Sequence, residues 1–261
     1  MATFINKNNK TIKLLLDRSG SMSSDGMLKA LISGSNSLIL EQRQSAEDLN
    51  EDINIEIYVF DNELLLIRSG EIKEISNILE NEVKPRCTTS LNDSLAKILE
   101  DGKDQSDVIL FIFTDGQENS SILHPGNTGK KYCSDLIENL TSNNKWTIIF
   151  GAANIDASTT ASEYGVNTQN TININATGTS VSALMRGVSS SIRQSSQTGD
   201  DIDVTGINSI NIQSDSTKII GVIGLVNPIG INTINSTGNI GVKRKNEDRI
   251  DNLSSSPLKR S

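Results

Sequence analysis

Residues 13–22 join an apolar run to an abrupt polar end. Three leucines lead directly into Asp17, and Ser19 and Ser21 follow at alternate positions. A buried strand ending here delivers one carboxylate and two hydroxyls to one point, and such oxygen ligands suit a hard divalent cation. Gly20, between the serines, permits a tight turn without a Cβ clash. The DxSxS pattern alone does not separate a metal site from an ordinary loop, where Ser, Asp and Gly are also common.

Two more loops supply oxygen atoms if the chain folds into an α/β sheet. Thr88 and Thr89 precede a predicted helix over 91–99, and Asp115 follows the apolar run 108–113. In a doubly wound sheet, ligands bind outside the carboxyl ends of the parallel strands. The three loops then meet at one edge and offer hydroxyls and carboxylates suited to Mg²⁺ or Mn²⁺.

The hydrophobic pattern predicts the elements that position these loops. An Asp-Asn turn at 61–62 makes the following strand an antiparallel partner of the preceding one. The alternation of strands and helices predicts a doubly wound, mostly parallel central sheet with one antiparallel edge strand and helices on both faces. Strands are predicted over 11–17, 53–60, 63–68, 108–113, 146–150 and 171–174, and helices over 27–49, 71–83, 91–99, 132–140, 156–164 and 180–193.

These motifs resemble the von Willebrand factor type A (vWA) domain, whose metal-ion-dependent adhesion site uses a DxSxS loop, a distant threonine and a distant aspartate. The resemblance covers about residues 11–193, and the stretch 146–157 is similar to stand-alone members from bacteria and their phages. The register of the helix that follows favours Thr89 over Thr88. Family members usually carry a glycine shortly before this threonine, whereas Arg86 and Cys87 stand here. The matching metal ligands are Asp17, Ser19, Ser21, Thr89 and Asp115.

The resemblance implies a metal-dependent adhesion or assembly module rather than an enzyme. In the family, the aspartate and serines of the DxSxS loop are direct ligands, while the threonine and the second aspartate alternate between direct and water-mediated contact. A metal with few carboxylate ligands keeps an open coordination position. The expected partner is therefore a protein with an exposed Asp or Glu.

The sequence is also compatible with two other functions. Asp17 could be the nucleophile of a Mg²⁺-dependent phosphoryl-transfer enzyme, although Ser19 stands where such sites normally hold a second carboxylate. Alternatively, the chain could be a scaffold whose metal site is idle. The single histidine, His124, lies beside Pro125 and is more typical of a surface residue than of a catalytic base.

Composition limits the class of protein and its location. The net charge of −8 and the pI near 4.8 make nucleic-acid binding by the main body unfavourable. Cys87 and Cys133 lack the spacing of a disulfide framework or zinc site and are expected to be reduced thiols. The amino terminus does not resemble a signal peptide, and no apolar run is long enough for a membrane helix. We therefore expect an intracellular, cytoplasmic protein.

The composition changes near residue 195, so we expect the domain that resembles vWA domains to cover 1–195 and a low-complexity tail to cover 196–261. The tail consists mainly of Ser, Asn, Gly, Thr, Ile and Asp, and we expect it to be flexible. Within it, 219–226 is apolar and strand-prone. Basic residues at 243–245, 249 and 259–260 could form a nuclear localisation signal or a nucleic-acid tether, or simply a solvated terminus.

Overall fold

The structure, a computed structural model, describes residues 9–208. Six strands form one sheet: β1 (Asn9–Asp17), β2 (Asp52–Phe60), β3 (Leu64–Glu71), β4 (Val108–Thr114), β5 (Trp146–Ala153) and β6 (Thr171–Ile174). The helices of this part of the chain are α1 (Met27–Asp48), α2 (Leu91–Asp101), α3 (Gly126–Asn143), α4 (Ala157–Glu163), α5 (Gly178–Thr198) and α6 (Thr205–Asn208), and Gly20–Gly26 and Thr168–Asn170 form 3-10 turns.

The sheet has the order β3-β2-β1-β4-β5-β6, and only the β2–β3 pair is antiparallel. Strands β2 and β3 extend the sheet on one side of β1, and the chain then crosses over to place β4 on the other side. The carboxyl ends of β1 and β4 therefore flank the switch point of the sheet, where doubly wound folds bind ligands. The predicted fold class is confirmed, including the antiparallel edge strand.

The sheet is covered on both faces, as its apolar strands require. Side chains alternate along β1, so Leu14 and Leu16 contact one core while Leu15 contacts the other. Helices α1 and α5 cover the first face, and α2, α3 and α4 cover the second. All seven residues of β4 are buried, which explains its uninterrupted apolar sequence.

The helix predicted over 71–83 is wrong, because this segment forms turns and irregular structure. Its isoleucines at 72, 75 and 78 are buried, so the apolar spacing is real although the helix is absent. Side chains from other elements bind its backbone instead. Arg43 donates to the carbonyls of Ile72 (3.0 Å) and Ile75 (2.6 Å), and Asn36 pairs with the backbone of Ile78 (2.8 and 2.9 Å).

The packed structure continues past residue 195. Helix α5 runs to Thr198, and Val204 is fully buried in the core beneath α1 and α5. Residues 209–261 lie outside the described residues, so the strand-prone segment 219–226 and the basic residues 243–260 stay predictions. No helix within residues 9–208 has the length and apolar character needed to cross a membrane.

The contacts of Arg43 give a first test. Replacing Arg43 by Met removes two charge-assisted hydrogen bonds and leaves two carbonyls without donors, so the free energy of unfolding should fall by about 2 kcal/mol. Urea denaturation measures this change. Arg193→Met is the matched control, since the ion pair of Arg193 with Asp48 (3.4 Å) is exposed to solvent and its loss should change stability little. Equal effects of the two variants would contradict the account of this segment.

Candidate metal centre

Asp17 ends β1 inside the protein and is held there by two hydrogen bonds. Its side chain is fully buried. The backbone N–H of Ser19 donates to Oδ1 (2.6 Å), and the Thr114 hydroxyl donates to Oδ2 (2.7 Å). Because β1 and β4 are parallel neighbours in register, with Leu16 opposite Phe113, the Thr114 hydroxyl reaches Asp17 directly. Both carboxylate oxygens of Asp17 are thus oriented by the protein.

A chain of hydroxyl contacts links the DxSxS loop to the end of β4. The Ser19 and Ser21 hydroxyl oxygens are 3.0 Å apart, and the Ser21 hydroxyl donates to Oδ1 of Asp115 (2.7 Å). Ser19 and Asp115 are almost completely buried. The structure therefore brings together Asp17, both serines and Asp115, as the sequence predicted.

Thr89 lies at the same point, whereas Thr88 is exposed to solvent. A Cβ built on Gly116 would lie 3.5 Å from the Thr89 hydroxyl oxygen and 3.9 Å from that of Ser21. Asn119 fixes the Thr89 backbone: the Thr89 N–H donates to Asn119 Oδ1, and the Asn119 N–H donates to the Thr89 carbonyl (both 2.9 Å). The geometry thus favours Thr89 over Thr88.

The two carboxyl groups of the centre lack positive partners. Burial raises the pKa of Asp17 to about 6, against the lowering effect of its hydrogen bonds, and the nearby Asp115 raises it further. Burial also raises the pKa of Asp115. Among residues 9–208, no Lys or Arg side chain pairs with either group.

Oδ2 of Asp115 is buried, and no group within residues 9–208 forms a hydrogen bond with it. An unpaired carboxylate oxygen inside a protein is costly, and a cation beside it would remove the cost. No group of three or more His, Cys, Asp or Glu side chains suited to a metal occurs in the described part of the chain. Hydroxyl oxygens would therefore supply most of the ligands, and such a donor set fits Mg²⁺ or Mn²⁺ rather than a soft metal.

Asp61, which the sequence analysis did not single out, joins the loops of the centre. It follows β2 and is fully buried, with Arg18 Nε 3.1 Å and Arg86 Nε 2.5 Å from its Oδ2. Its carbonyl accepts from the N–H (2.7 Å) and hydroxyl (2.8 Å) of Ser90. Asp61 therefore ties the residue after Asp17 to the segment that carries Thr89.

Arg86 does not lend its charge to the centre, because Asp61 and the carboxylate of Glu63 bind its guanidinium. Its neighbour Cys87 stands close to where vWA domains usually have glycine, and it adopts a left-handed backbone conformation with φ of 58°. The Cys87 carbonyl accepts from the Gly20 N–H (3.1 Å). Cys87 therefore adopts the left-handed turn that glycine would favour, although its Cβ makes this conformation less favourable.

Three further residues complete the centre without being expected from the sequence. Thr114 orients Asp17, Asn119 holds the Thr89 loop, and Asp61 joins two loops. Thr114 and Asn119 lie within the passage 111–119 that carries the family resemblance, so their closeness to Asp115 in the sequence could have indicated a role in the centre. Nothing in the sequence indicated such a role for Asp61, because an Asp-Asn pair after a strand is ordinary turn sequence.

The comparisons with known proteins concern the fold. No protein-family model and no curated protein matches the chain. Among solved structures, it is similar to the von Willebrand factor type A protein from Catenulispora acidiphila, with 11% identity and a TM-score of 0.50 over 70% of this chain and 42% of that one. It is also similar to the pilus adhesin SpaC of Lactobacillus rhamnosus GG, with 12% identity and a TM-score of 0.54 over 72% of this chain and 31% of that one.

A third similar structure is the vWF domain of the type V pili tip protein Mfa5 from Porphyromonas gingivalis. Its identity is 10% and its TM-score 0.52, over 74% of this chain and 98% of that one. The chain thus spans less than half the length of the first two proteins and nearly all of the third. The chain has the vWA fold, as its motifs indicated.

The role of Asp61 predicts a large loss of stability on its replacement. Asp61→Asn leaves the charge of the buried Arg18 uncompensated, so the free energy of unfolding should fall by about 3 kcal/mol. Glu63→Gln is the control, because Glu63 is exposed and its ion pair with Arg86 should contribute little. Denaturant titration compares the two, and an Asp61→Asn protein as stable as the control would refute the joining role.

The left-handed backbone conformation of Cys87 predicts that one replacement there will stabilise the protein. Cys87→Gly should raise the free energy of unfolding by about 1 kcal/mol, because glycine adopts positive φ without the steric cost of a Cβ. Cys87→Ala retains the Cβ and should leave stability nearly unchanged. Thermal unfolding of both variants measures the difference, and a destabilised glycine variant would show that the backbone there is not strained.

Proposed function

We propose that this chain, which has the vWA fold, is a metal-dependent protein-binding module. It presents Mg²⁺ or Mn²⁺ to an acidic side chain of a partner protein. The observation that carries the proposal is that Oδ2 of Asp115 is buried without a hydrogen-bond partner in the described part of the chain, at the point where four other oxygen-bearing side chains converge. The proposed metal ligands are Asp17, Ser19, Ser21, Thr89 and Asp115.

Different hydrogen bonds hold Asp17 and Thr89 in place, and together these bonds preorganise the centre. Two hydrogen bonds fix Asp17, so it cannot rotate toward solvent. Asn119 holds the Thr89 backbone, which keeps the Thr89 hydroxyl beside Gly116 and Ser21 at the centre. A bound divalent cation supplies positive charge and a coordination position that a partner carboxylate can fill.

The geometry disfavours the phosphoryl-transfer alternative. A nucleophilic carboxylate must be accessible to a phosphate ester from solvent, but the side chain of Asp17 has no exposed surface. This burial supports a binding role rather than an enzymatic one.

An intracellular location is part of the proposal. Cys87 is exposed, Cys133 is buried, and neither is paired in a disulfide. An unprotected surface thiol is typical of a reducing compartment.

The surplus of acidic residues makes the main body unsuited to nucleic acid, so a protein partner is the better match.

Magnesium should stabilise the folded protein, since the ligands of the proposed centre are brought together only in the folded state. At about 100 times the dissociation constant, the gain in the free energy of unfolding is about 2.7 kcal/mol. Asp115→Asn should abolish this gain. Its metal-free stability should stay equal or rise, because the variant removes a buried charge that no cationic side chain among residues 9–208 compensates, while its amide oxygen can still accept from the Ser21 hydroxyl. Thermal unfolding with and without MgCl₂ measures both effects.

Asp25→Asn is the control for general charge effects, since Asp25 is exposed in the 3-10 turn beside the centre. This variant should keep the full response to magnesium. An equal response of Asp115→Asn and the wild type would contradict the proposed site. Absence of any response in the wild type at millimolar Mg²⁺ and Mn²⁺ would favour a scaffold with an idle centre.

A further inference from the structure

Two large aliphatic side chains stand in solvent on the loop between β4 and α3. Ile122 is 84% exposed and Leu123 is 79% exposed, which makes them the most exposed large hydrophobic residues of the described chain. Isolated exposed leucines are common and need no explanation. Two adjacent exposed aliphatic residues on a rigid loop are different from an isolated one, because hydrogen bonds of the loop hold both of them in solvent.

The carboxylate of Asp93 holds the backbone of the pair. It accepts hydrogen bonds from the N–H groups of Ile122 (2.7 Å), Leu123 (3.1 Å) and His124 (2.7 Å). Asp93 lies in the first turn of α2, so the loop is fastened to a helix rather than to another loop. The pair therefore cannot withdraw into the core without breaking three hydrogen bonds.

Glu118 fastens the preceding part of the loop. Its carboxylate accepts from the N–H of Ser120 (2.9 Å), the N–H and hydroxyl of Ser121 (both 2.7 Å), and the N–H of Asn92 at the start of α2 (2.8 Å). The Ser121 hydroxyl in turn accepts from the Asp93 N–H (3.0 Å). Loop and helix thus satisfy each other's unpaired backbone groups, and a surface fixed in this way loses little conformational entropy on binding.

This loop is continuous with the candidate metal centre. It begins at Asp115, and Asn119 within it binds the Thr89 backbone. Since α2 rises about 1.5 Å per residue and starts two residues after Thr89, the bonds to Asp93 place the pair on the order of 10 Å from Thr89. An extended peptide covers that distance in about three residues.

The side chains most open to solvent between the centre and the pair carry no charge. Gln117 and Asn119 are exposed and uncharged. The carboxylates of Glu118 and Asp93 accept hydrogen bonds from the loop and from the start of α2, so both are directed into the protein. A divalent cation in the centre would supply the positive charge that attracts an acidic ligand.

We propose that Ile122 and Leu123 form an apolar subsite for the partner of the metal centre. The partner is an extended segment with an Asp or Glu that reaches the metal and an aliphatic or aromatic residue about three positions away that covers the pair. This inference rests on the proposed function and adds to it the feature that distinguishes one acidic partner from another.

The test is selection from a displayed library of random peptides with one fixed central aspartate, on the full chain in MgCl₂ and in EDTA. The wild type should enrich, in MgCl₂ only, peptides with a large apolar residue at a constant offset from the aspartate. Ile122→Ser/Leu123→Ser should enrich acidic peptides without that preference. It should unfold like the wild type, because both side chains are already in water.

Leu40→Ser/Leu79→Ser is the matched control. Leu40 and Leu79 are 63% and 57% exposed, and Leu40 belongs to α1 on the opposite face of the sheet from α2. This variant should retain the apolar preference.

Three results would overturn the inference. Magnesium-dependent enrichment of acidic peptides with no apolar preference in the wild type removes the subsite but leaves the proposed function intact. Enrichment that is unaffected by EDTA, or absent, removes the proposed function and the subsite with it. Self-association of the wild type that Ile122→Ser/Leu123→Ser abolishes, measured by sedimentation without peptide, identifies a second copy of the chain as the occupant instead.

Discussion

The hydrogen bond from the Thr114 hydroxyl to Oδ2 of Asp17 is the contact on which the candidate site depends. It joins the carboxyl ends of β1 and β4, the two strands at the switch point of the sheet, across 97 positions of sequence. With this bond in place, Asp115 follows immediately on β4 and the Ser21 hydroxyl can reach it. Sheet register therefore assembles the centre, and the DxSxS loop supplies only part of it.

Bringing two carboxylates into a buried place has an electrostatic cost, which the structure offsets only in part. Hydrogen bonds from Ser19 and Thr114 stabilise the Asp17 carboxylate, yet burial still raises its pKa to about 6. Asp115 keeps one oxygen that no described residue hydrogen-bonds. By contrast, the equally buried Asp61 has Arg18 and Arg86 beside it. The chain thus neutralises the aspartate that joins the loops and leaves the centre acidic, which is the arrangement that a cation-binding site requires.

The sequence predicted the strands well because their apolar runs are long and end at polar turn residues. It also predicted which oxygen-bearing residues would meet, since parallel strands bring their carboxyl ends to one edge. It failed over 71–83, where isoleucines spaced by three mimic a helix while Arg43 and Asn36 bind the backbone from outside. Asp61 was missed for a related reason: its partners Arg18 and Arg86 are distant in sequence, and only the fold reveals that the three meet.

The central claim is that Asp17, Asp115 and the hydroxyls between them hold a divalent cation. Paramagnetic Mn²⁺ tests it most directly, because it broadens the NMR signals of nuclei close to the bound ion. If these residues hold the cation, substoichiometric Mn²⁺ will selectively broaden the backbone amide signals of Ser19, Ser21, Thr89, Asp115 and Gly116, and excess Mg²⁺ will restore them. Broadening centred on other residues, or none beyond that of free Mn²⁺, would contradict the central claim.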